Sequence, residues 1–356
     1  MAILTSLTYS LAKQFLPWEV LVPFDINFLV KWHKQRAGEI LANAKDGKLP
    51  RHALWELQYH KSPYLLLVDK TELEERFIDI FSNFSDLNEA GQITPRDDSD
   101  YRMMQIFQHF IAAQSGRGGI SFDVIQSARN ELLKYYRNGK PRGIRELSKF
   151  MGQPKDILVK YSKKKYLVDT LKFGVLKITP ASHYSKGSLL KAMKDLETTR
   201  RYRIPAWQEA YNGMKFINIR GVDLPIEGGA VTLDISVRDY YLFCCCNQAD
   251  LRLPTDFDAD AALIIKDRQR FVRAIKSALA STHKGFNVHA GDVFYYDPFF
   301  PPHDRSDLEF LKHFSYRYQK EYRVVIKPPH DHREVIDEIF LEIGPIDDYS
   351  ELVDLE

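Results

Sequence analysis

Hydrophobic residues in the first part of the chain, up to about residue 157, recur every three or four positions. That spacing puts them on one face of a helix and predicts amphipathic α-helices without conventional strands. One helix is expected to begin at Thr71-Glu-Leu-Glu74, where the Thr71 hydroxyl and the Glu74 carboxylate can satisfy free backbone amides. Two more helices are predicted over about residues 100–116 and 121–137, each with a capping side chain at its start.

After residue 161 the pattern changes to short runs of β-branched and aromatic residues between turn residues, with helical stretches at 166–173, 186–199 and 267–279. Connections between many of these runs are short and no Gly-rich phosphate loop occurs, which favours a mainly antiparallel sheet. The sequence therefore predicts an α+β fold: a helical N-terminal domain (residues 1–157) and a mixed, mainly antiparallel α+β domain (residues 158–356). Strands are predicted at 175–179, 215–220, 230–235, 240–246, 260–266, 292–296, 318–326 and 338–343.

The predicted strand from Tyr318 to Ile326 carries the best chemical lead, and Lys327-Pro-Pro closes it. Side chains alternate between the two faces of a strand, so Gln319, Glu321 and Arg323 are expected on one face of a half-buried strand. A row of polar groups on such a strand predicts a functional site, without naming its reaction. The alternative is a solvent-facing strand on which Glu321 and Arg323 form an ion pair worth about a few tenths of a kcal/mol.

A second group of polar residues follows the predicted strand 175–179, where small-molecule sites tend to lie. Thr179, Ser182 and Tyr184 supply hydroxyl groups that can bind a ribose or an amide. The Tyr184 ring can also stack on a nicotinamide or adenine ring. His183 in the same loop is interpreted as an ordinary surface histidine.

Charge is almost balanced, with a formal net charge of +2, and gives no general argument for nucleic acid or membrane binding. Locally, however, Lys134–Lys165 is strongly basic and residues 342–356 are acidic. Within the basic stretch, 143–152 and 154–160 are expected to form two short helices, either a helix-turn-helix or a pair of packed connectors. Contact with nucleic acid through this stretch stays an open alternative.

The chain has three cysteines, and they are adjacent at Cys244–Cys246. They cannot build a disulfide framework, and neighbours on a strand point to opposite faces, so neither a disulfide scaffold nor a metal site is predicted. His330 and His332 could hold a metal ion, but they lie in a Pro-flanked loop, and no metal site is predicted there either. Because no signal segment and no long apolar run occurs, we predict a cytoplasmic protein without a membrane anchor.

Residues 161–327 resemble a family of uncharacterised bacterial proteins in the order and spacing of several short pieces. That family is similar, more distantly, to a domain of unknown function found near bacterial phage-defence genes. In that domain the early loop carries Phe-Asn-Asp and the late strand carries Glu-x-Arg. Here the loop reads Tyr184-Ser-Lys186 and lacks the Asn-Asp pair, whereas Glu321-x-Arg323 is present. The matching pieces lie at 166–171, 174–184, 188–197, 241–244, 256–261, 293–296 and 312–323.

Gln319-Lys-Glu321 also resembles the Gln/Glu-x-Glu motif of ADP-ribosyltransferases. The resemblance implies that NAD is a substrate, that Glu321 binds the 2′-hydroxyl of the nicotinamide ribose and stabilises the ribosyl cation, and that Gln319 orients the acceptor. The chain would then be an effector or toxin acting on a macromolecular target, in phage defence by the family context. The residues expected to bind NAD are Tyr166, Thr179, Ser182, Tyr184, Lys312 and Arg323, the last two through the diphosphate.

A second hypothesis belongs to another class: a non-catalytic regulatory protein that binds nucleic acid or protein. The basic stretch 134–165 would make the contact, and binding would fall steeply with salt. A nuclease-type toxin is less favoured, because clustered Asp and Glu metal ligands are missing from the sequence.

Overall fold

The computed structural model describes residues 25–96, 100–137, 139–152, 156–186, 189–302, 307–329 and 337–355. In these ranges the fold is α+β, as predicted: helices come first, and a mainly antiparallel, sheet-rich region follows. Of the helices within these ranges, none has both the length and the apolar character needed to cross a membrane.

The α-helices of the described ranges are α1 (Ile26–Ala42), α2 (Arg51–Lys61), α3 (Lys70–Asn83), α4 (Tyr101–Ser115), α5 (Phe122–Leu133), α6 (Ile144–Ser148), α7 (Lys164–Phe173), α8 (Trp207–Tyr211), α9 (Leu253–Asp256) and α10 (Arg268–Thr282). Short 3₁₀ helices lie at Lys134–Tyr136, Ala181–Ser185, Leu308–Phe310 and Phe314–Gln319.

The strands are β1 (Ser85–Leu87), β2 (Ile93–Pro95), β3 (Leu158–Ser162), β4 (Val175–Pro180), β5 (Thr199–Pro205), β6 (Phe216–Ile219), β7 (Val222–Glu227), β8 (Ala230–Ser236), β9 (Tyr241–Cys246), β10 (Ala261–Ile265), β11 (Asn287–Asp292), β12 (Phe294–Tyr296), β13 (Leu311–His313), β14 (Glu321–Lys327), β15 (Ile339–Glu342) and β16 (Ser350–Asp354).

Side-chain caps fix the starts of α1, α3, α4 and α5. α3 begins one residue after Asp69, whose carboxylate accepts a hydrogen bond from the Glu72 amide at 2.9 Å. The predicted capping box at Thr71–Glu74 is therefore wrong by two positions, because an earlier acidic residue caps the first turn. α4 and α5 begin after Asp100 and Ser121, as predicted. The prediction of no strands before residue 157 is also wrong, since β1 and β2 form a short hairpin.

The main sheet has the strand order β11-β14-β9-β3-β10-β16, with every pair antiparallel. One edge of β9 is divided between two partners. Cys246 pairs with Val159 of β3 at one end, and Tyr241 and Leu242 pair with the end of β4 at the other. β4 then pairs with β15. The sheet thus opens into a fork beside the middle of β9.

A second sheet has the order β5-β8-β7-β6 and is also antiparallel, whereas β12 and β13 form a short parallel pair. In the main sheet, α7 and α10 pack on one face, where Leu167 and Phe271 join a buried apolar cluster. The opposite face carries the polar residues of β14. That face therefore holds the candidate site.

Hydrophobic contacts cross the predicted domain boundary. Phe299 and Phe314 pack in the same buried cluster as Tyr64 and Phe110 of the helical part. The boundary near residue 157 stays a prediction, but residues from both sides of it pack in one buried apolar cluster.

Two predicted helices are wrong within the described residues. Residues 158–162 form β3, a central strand whose Leu158 and Val159 are fully buried, so the second helix of the expected pair does not exist. Residues 189–198 form turns instead of an amphipathic helix, and two of the predicted apolar stripe residues, Leu190 and Leu196, are exposed. Residues 153–155 and 187–188 of these predictions lie outside the described residues.

Candidate functional site

The polar row on the late strand is built differently from the prediction. β14 begins at Glu321, not at Tyr318, because Gln319 ends a 3₁₀ helix and Lys320 has a left-handed backbone conformation with φ 47°. Gln319 therefore does not share a strand face with Glu321. Both side chains nevertheless accept hydrogen bonds from Lys312 Nζ, because the turn at Lys320 keeps Gln319 beside the start of the strand.

The face of β14 that carries Glu321 and Arg323 is buried rather than half-exposed. β14 is covered on both sides by β11 and β9, and its residues up to Ile326 are buried. Cys246 lies opposite Glu321 and Cys244 opposite Arg323 on β9. Both charged groups are thus withdrawn from water, where they require partners inside the protein.

Lys312 and Arg323 supply those partners for Glu321. One Glu321 carboxylate oxygen accepts a hydrogen bond from Arg323 Nε at 2.7 Å, and the other accepts one from Lys312 Nζ at 2.8 Å. Lys312 Nζ also donates to Gln319 Oε1 at 3.2 Å. The ion pair between Glu321 and Arg323 that the sequence suggested does exist, but it belongs to a buried network and not to a solvent-facing strand.

A second carboxylate, Glu197, completes the network. It lies in the segment 188–197 that resembles the bacterial family, but it was not predicted as a site residue. Its two oxygens accept hydrogen bonds from Arg323 Nη2 at 2.6 Å and from Arg200 Nη2 at 3.2 Å. Lys312 Nζ lies 3.8 Å from Glu197 Oε1. The wrong helix prediction for this segment hid Glu197, and its spacing to Arg200 is the one local signal for an ion pair.

Electrostatics keep Glu321 charged. Burial opposes ionisation, but the positive charges of Arg323 and Lys312 and their hydrogen bonds outweigh it and hold the pKa of Glu321 well below its usual range. The same carboxylates raise the pKa of Lys312 against the effect of its burial. Glu321 is therefore a permanent anion at neutral pH and cannot act as a general acid.

A cavity of about 300 Å³ adjoins this network, beside β3 and the middle of β9. Glu321, Gln319 and Lys312 provide polar groups in its wall. Apolar and aromatic side chains line it as well, including Tyr184, Met193 and Phe257. A concave space with a few convergent polar groups and aromatic side chains in its wall is the usual form of a small-molecule site.

Lysines not predicted as site residues also line the cavity. Lys160 reaches into the fork of the sheet, where its Nζ donates to the Cys244 carbonyl at 2.7 Å. Lys163 lies 2.8 Å from Asp258, and both residues line the same cavity. In the sequence these two lysines are indistinguishable from the rest of the basic stretch, so only the strand pairing reveals their position.

The predicted site residues divide into two groups. Gln319, Glu321, Lys312 and Tyr184 line the cavity together. Arg323 lies behind them, fully buried, with its guanidinium bonded to Glu197, Glu321 and the Glu309 carbonyl, so the geometry gives no support for its contact with a diphosphate.

The remaining three predicted residues do not line this cavity. Tyr166 is 58% exposed on α7, and Thr179 is a half-buried residue of β4. Ser182 is held by Asp239, which accepts hydrogen bonds from its amide at 3.0 Å and its hydroxyl at 2.5 Å. The loop after β4 therefore contributes Tyr184 alone to the site.

A larger cavity of about 840 Å³ lies on the other side of residues 189–198. Its arginines are engaged by protein carboxylates, as in the pairs Arg203–Glu72 and Arg201–Asp234. Burial, and then the charge of Glu197, raise the pKa of Asp195 in its wall to about 6. Neither Glu321 nor Gln319 lines this cavity, so the smaller one is the candidate site.

Several positively charged residues of the 134–165 stretch also have acidic partners. Lys134 lies 2.6 Å from Asp256, and Lys164 pairs with Asp354. With Lys163 engaged by Asp258, these lysines are partly neutralised by the protein itself. Nucleic-acid binding through this stretch stays a prediction.

The cysteines alternate between faces, as a strand requires. Cys245 packs in the apolar cluster under α10, while Cys244 and Cys246 face the other way. Burial raises the pKa of Cys245 to about 12, so its thiol stays protonated. No group of three or more potential metal ligands occurs in the described ranges, and His330 and His332 lie outside them.

No family model, curated protein or solved structure matches the chain. Its resemblance to a bacterial family and to ADP-ribosyltransferases therefore stays a prediction that rests on its sequence motifs. The buried charge network around Glu321, with the cavity beside it, is the physical basis for assigning a function.

Proposed function

We propose that the chain binds NAD in the 300 Å³ cavity and transfers ADP-ribose to a macromolecular target. The observation that carries the proposal is the Glu321 carboxylate, held by hydrogen bonds from Arg323 and Lys312, with Gln319 beside it in the wall of a cavity that aromatic residues also line. About 300 Å³ is at the lower end of the range for ligand pockets. It suits the nicotinamide and its ribose, with the rest of the dinucleotide extending outward.

In the proposed reaction the bond between C1′ of the ribose and the nicotinamide nitrogen breaks, and both electrons leave with the nicotinamide. The nicotinamide, cationic in NAD, departs neutral, and positive charge develops on the ribose. A fixed carboxylate close to that charge stabilises the transition state without having to reorganise. A nucleophile of the target then bonds to C1′ and releases its proton.

Glu321 has the hydrogen-bonding capacity for this role. An ionised carboxylate offers about four lone-pair positions. Arg323 and Lys312 occupy one on each oxygen, which leaves capacity for the 2′-hydroxyl of the ribose. Gln319 is fixed by Lys312 and by its own Nε2, which donates to the Ala192 carbonyl at 2.7 Å. The two groups are thus preorganised before a ligand arrives.

The cavity wall is balanced in charge, because its lysines are matched in number by Glu197, Asp258 and Glu321, but the lysines offer donors to phosphate groups. Lys312 is buried beside Glu321, and Lys160 and Lys163 line the same cavity in less buried positions. A diphosphate that extends from the ribose toward these lysines would gain charge-assisted hydrogen bonds. Tyr184 and Phe257 offer ring faces for the nicotinamide.

The test is to incubate the purified protein with NAD labelled in the adenylate, with and without a lysate as a source of acceptors. Released nicotinamide is measured by chromatography, and transferred label by autoradiography. We expect Glu321→Gln to lower nicotinamide release by at least about 100-fold, which corresponds to about 3 kcal/mol of transition-state stabilisation.

Glu309→Gln is the matched control, because Glu309 is also a buried carboxylate but pairs with Lys327 and does not line the cavity. It should keep activity close to that of the unmodified chain, and both variants should be checked for folding by circular dichroism. Failure of the unmodified protein to release nicotinamide or transfer label would refute the proposal. So would a folded Glu321→Gln variant with full activity.

A further inference from the structure

Within the part of the chain that the structure describes, the second sheet ends in an unprotected strand. β6 is the last strand in the order β5-β8-β7-β6, and β7 is its one partner among the described strands. At the opposite end of the sheet, β5 is covered, since the Arg203 amide donates to the Pro298 carbonyl at 2.8 Å. Proteins usually cover, charge or interrupt such edges, because unpaired backbone groups recruit other strands.

The backbone groups on the outer side of β6 belong to Phe216 and Asn218. Ile219 pairs with Val222 across a two-residue turn, whose Arg220 and Gly221 both have positive φ. The residues that flank a turn of this type exchange hydrogen bonds with each other, and inward and outward groups alternate along the strand. Ile219 and Ile217 therefore face β7, and the next residues face outward.

The side chains around this edge are apolar and exposed. Phe216 is 54% exposed, Ile219 42% and Val222 58%. Neither a proline nor a charged residue interrupts Phe216-Ile-Asn-Ile219. Exposed apolar residues on a free edge are the feature that β-strand addition uses, with the backbone providing affinity and the side chains specificity.

Positive charges stand at both ends of the edge. Lys215 precedes β6 and Arg220 follows it, and neither has an ion pair within the described part of the chain. A strand that pairs with β6 would have its two ends beside these cations. Acidic residues there would gain attraction, whereas basic residues would be repelled.

We propose that β6 is a docking edge for an extended segment of a partner protein, with an apolar centre and acidic residues at both ends. The segment adds to the sheet by hydrogen bonds to the Phe216 and Asn218 backbone, and Lys215 and Arg220 contact its acidic ends. This surface is separate from the NAD cavity, none of whose lining residues comes from β6.

The probe is a fluorescein-labelled peptide, Glu-Asp-Val-Thr-Ile-Thr-Val-Asp-Glu, whose binding to the full chain is followed by fluorescence anisotropy. Phe216→Pro removes one outward amide while the ladder between β6 and β7 keeps its bonds, and it should weaken binding at least about 10-fold. Lys215→Glu with Arg220→Glu should weaken binding by a similar factor and reverse its dependence on salt, because salt would then screen a repulsion between the chain and the acidic ends of the peptide.

Lys172→Glu with Lys276→Glu is the charge-matched control, since both lysines are exposed on α7 and α10, away from this sheet. It should leave the affinity within about twofold of that of the unmodified chain. Absence of peptide binding, or equal binding of a peptide with lysine at both ends, would overturn the proposal. A dimer in light scattering that Phe216→Pro dissociates would assign the edge to a second copy, which also overturns it.

Discussion

Lys312 is the residue that joins the buried network together. Its ammonium group contacts Glu321, Gln319 and, at a longer distance, Glu197. Each of these contacts compensates the cost of keeping a charge or a dipole out of water. Removing the ammonium leaves two largely buried carboxylates with fewer positive partners.

We therefore predict that Lys312→Met destabilises the fold by about 3–5 kcal/mol, the usual cost of breaking a buried ion pair on one side. Urea denaturation followed by circular dichroism measures the change. Lys266→Met is the control, because Lys266 lies 2.8 Å from Glu351 and both side chains are about half exposed. It should cost about 0–1 kcal/mol. Equal losses in the two variants would contradict the account of the network.

For single residues, the sequence predicted the part of the site that comes from the segment 312–321. Gln319, Glu321 and Lys312 lie close together in the chain, and they do meet. Glu197 and Lys160 come from distant segments. The spacing of Glu197 to Arg200 indicates an ion pair, but nothing in the sequence places either Glu197 or Lys160 at this site. Their roles depend on how β9 pairs with its neighbours, which long-range packing decides.

Among the elements, the end of α7 is a position where the backbone conformation and close packing require a glycine. The helix ends at Gly174, which has φ 68°, and the Ile343 amide donates to its carbonyl at 3.0 Å. A Cβ atom on Gly174 would lie 1.9 Å from the Gly344 carbonyl oxygen. Glycine is thus needed there for its conformation and for the close approach of the β15 connection.

Gly174→Ala should accordingly cost about 3–5 kcal/mol, from the positive φ and the steric overlap together. Gly213→Ala separates the two effects, because Gly213 has φ 84° but open space around its Cα. It should cost about 1–2 kcal/mol. Thermal unfolding of both variants checks the difference, and similar losses would show that the contact with Gly344 is unimportant.

The sequence predicted α4, α5, α7 and α10 well, because each has a capping residue or a terminal glycine beside a clear apolar stripe. It failed for residues 189–198, where tertiary hydrogen bonds decide the conformation. The carbonyls of Ala192 and Lys194 there accept from Gln319 and from the Tyr316 hydroxyl. Such bonds outweigh local helical propensity and cannot be read from spacing.

For the whole molecule, Arg252 connects the helical part with the sheet region. Its guanidinium is fully buried and donates to the Ser82 and Ser85 carbonyls at 2.6 Å and to the Tyr135 hydroxyl at 2.9 Å. Phe314 packs among the helices at the same junction. Separation of the two parts would leave these groups exposed or without partners.

We predict that the chain unfolds in a single cooperative transition in spite of its length. Tryptophan fluorescence of a Trp207→Phe variant reports on residues 1–157, which hold the other three tryptophans, while circular dichroism reports on the whole chain. The two urea curves should coincide. Two transitions separated in urea concentration would instead favour a helical domain that ends near residue 157 and folds independently.

The charge network around Glu321 also restricts how the sequence can change during evolution. Loss of any one of its ions leaves the others without compensation, so a lineage cannot easily change these positions one at a time. Chains that descend from a common ancestor should therefore exchange residues at 197, 312, 321 and 323 together or retain all four. An ancestor with a neutral side chain at 321 would be expected to carry a neutral one at 312 as well.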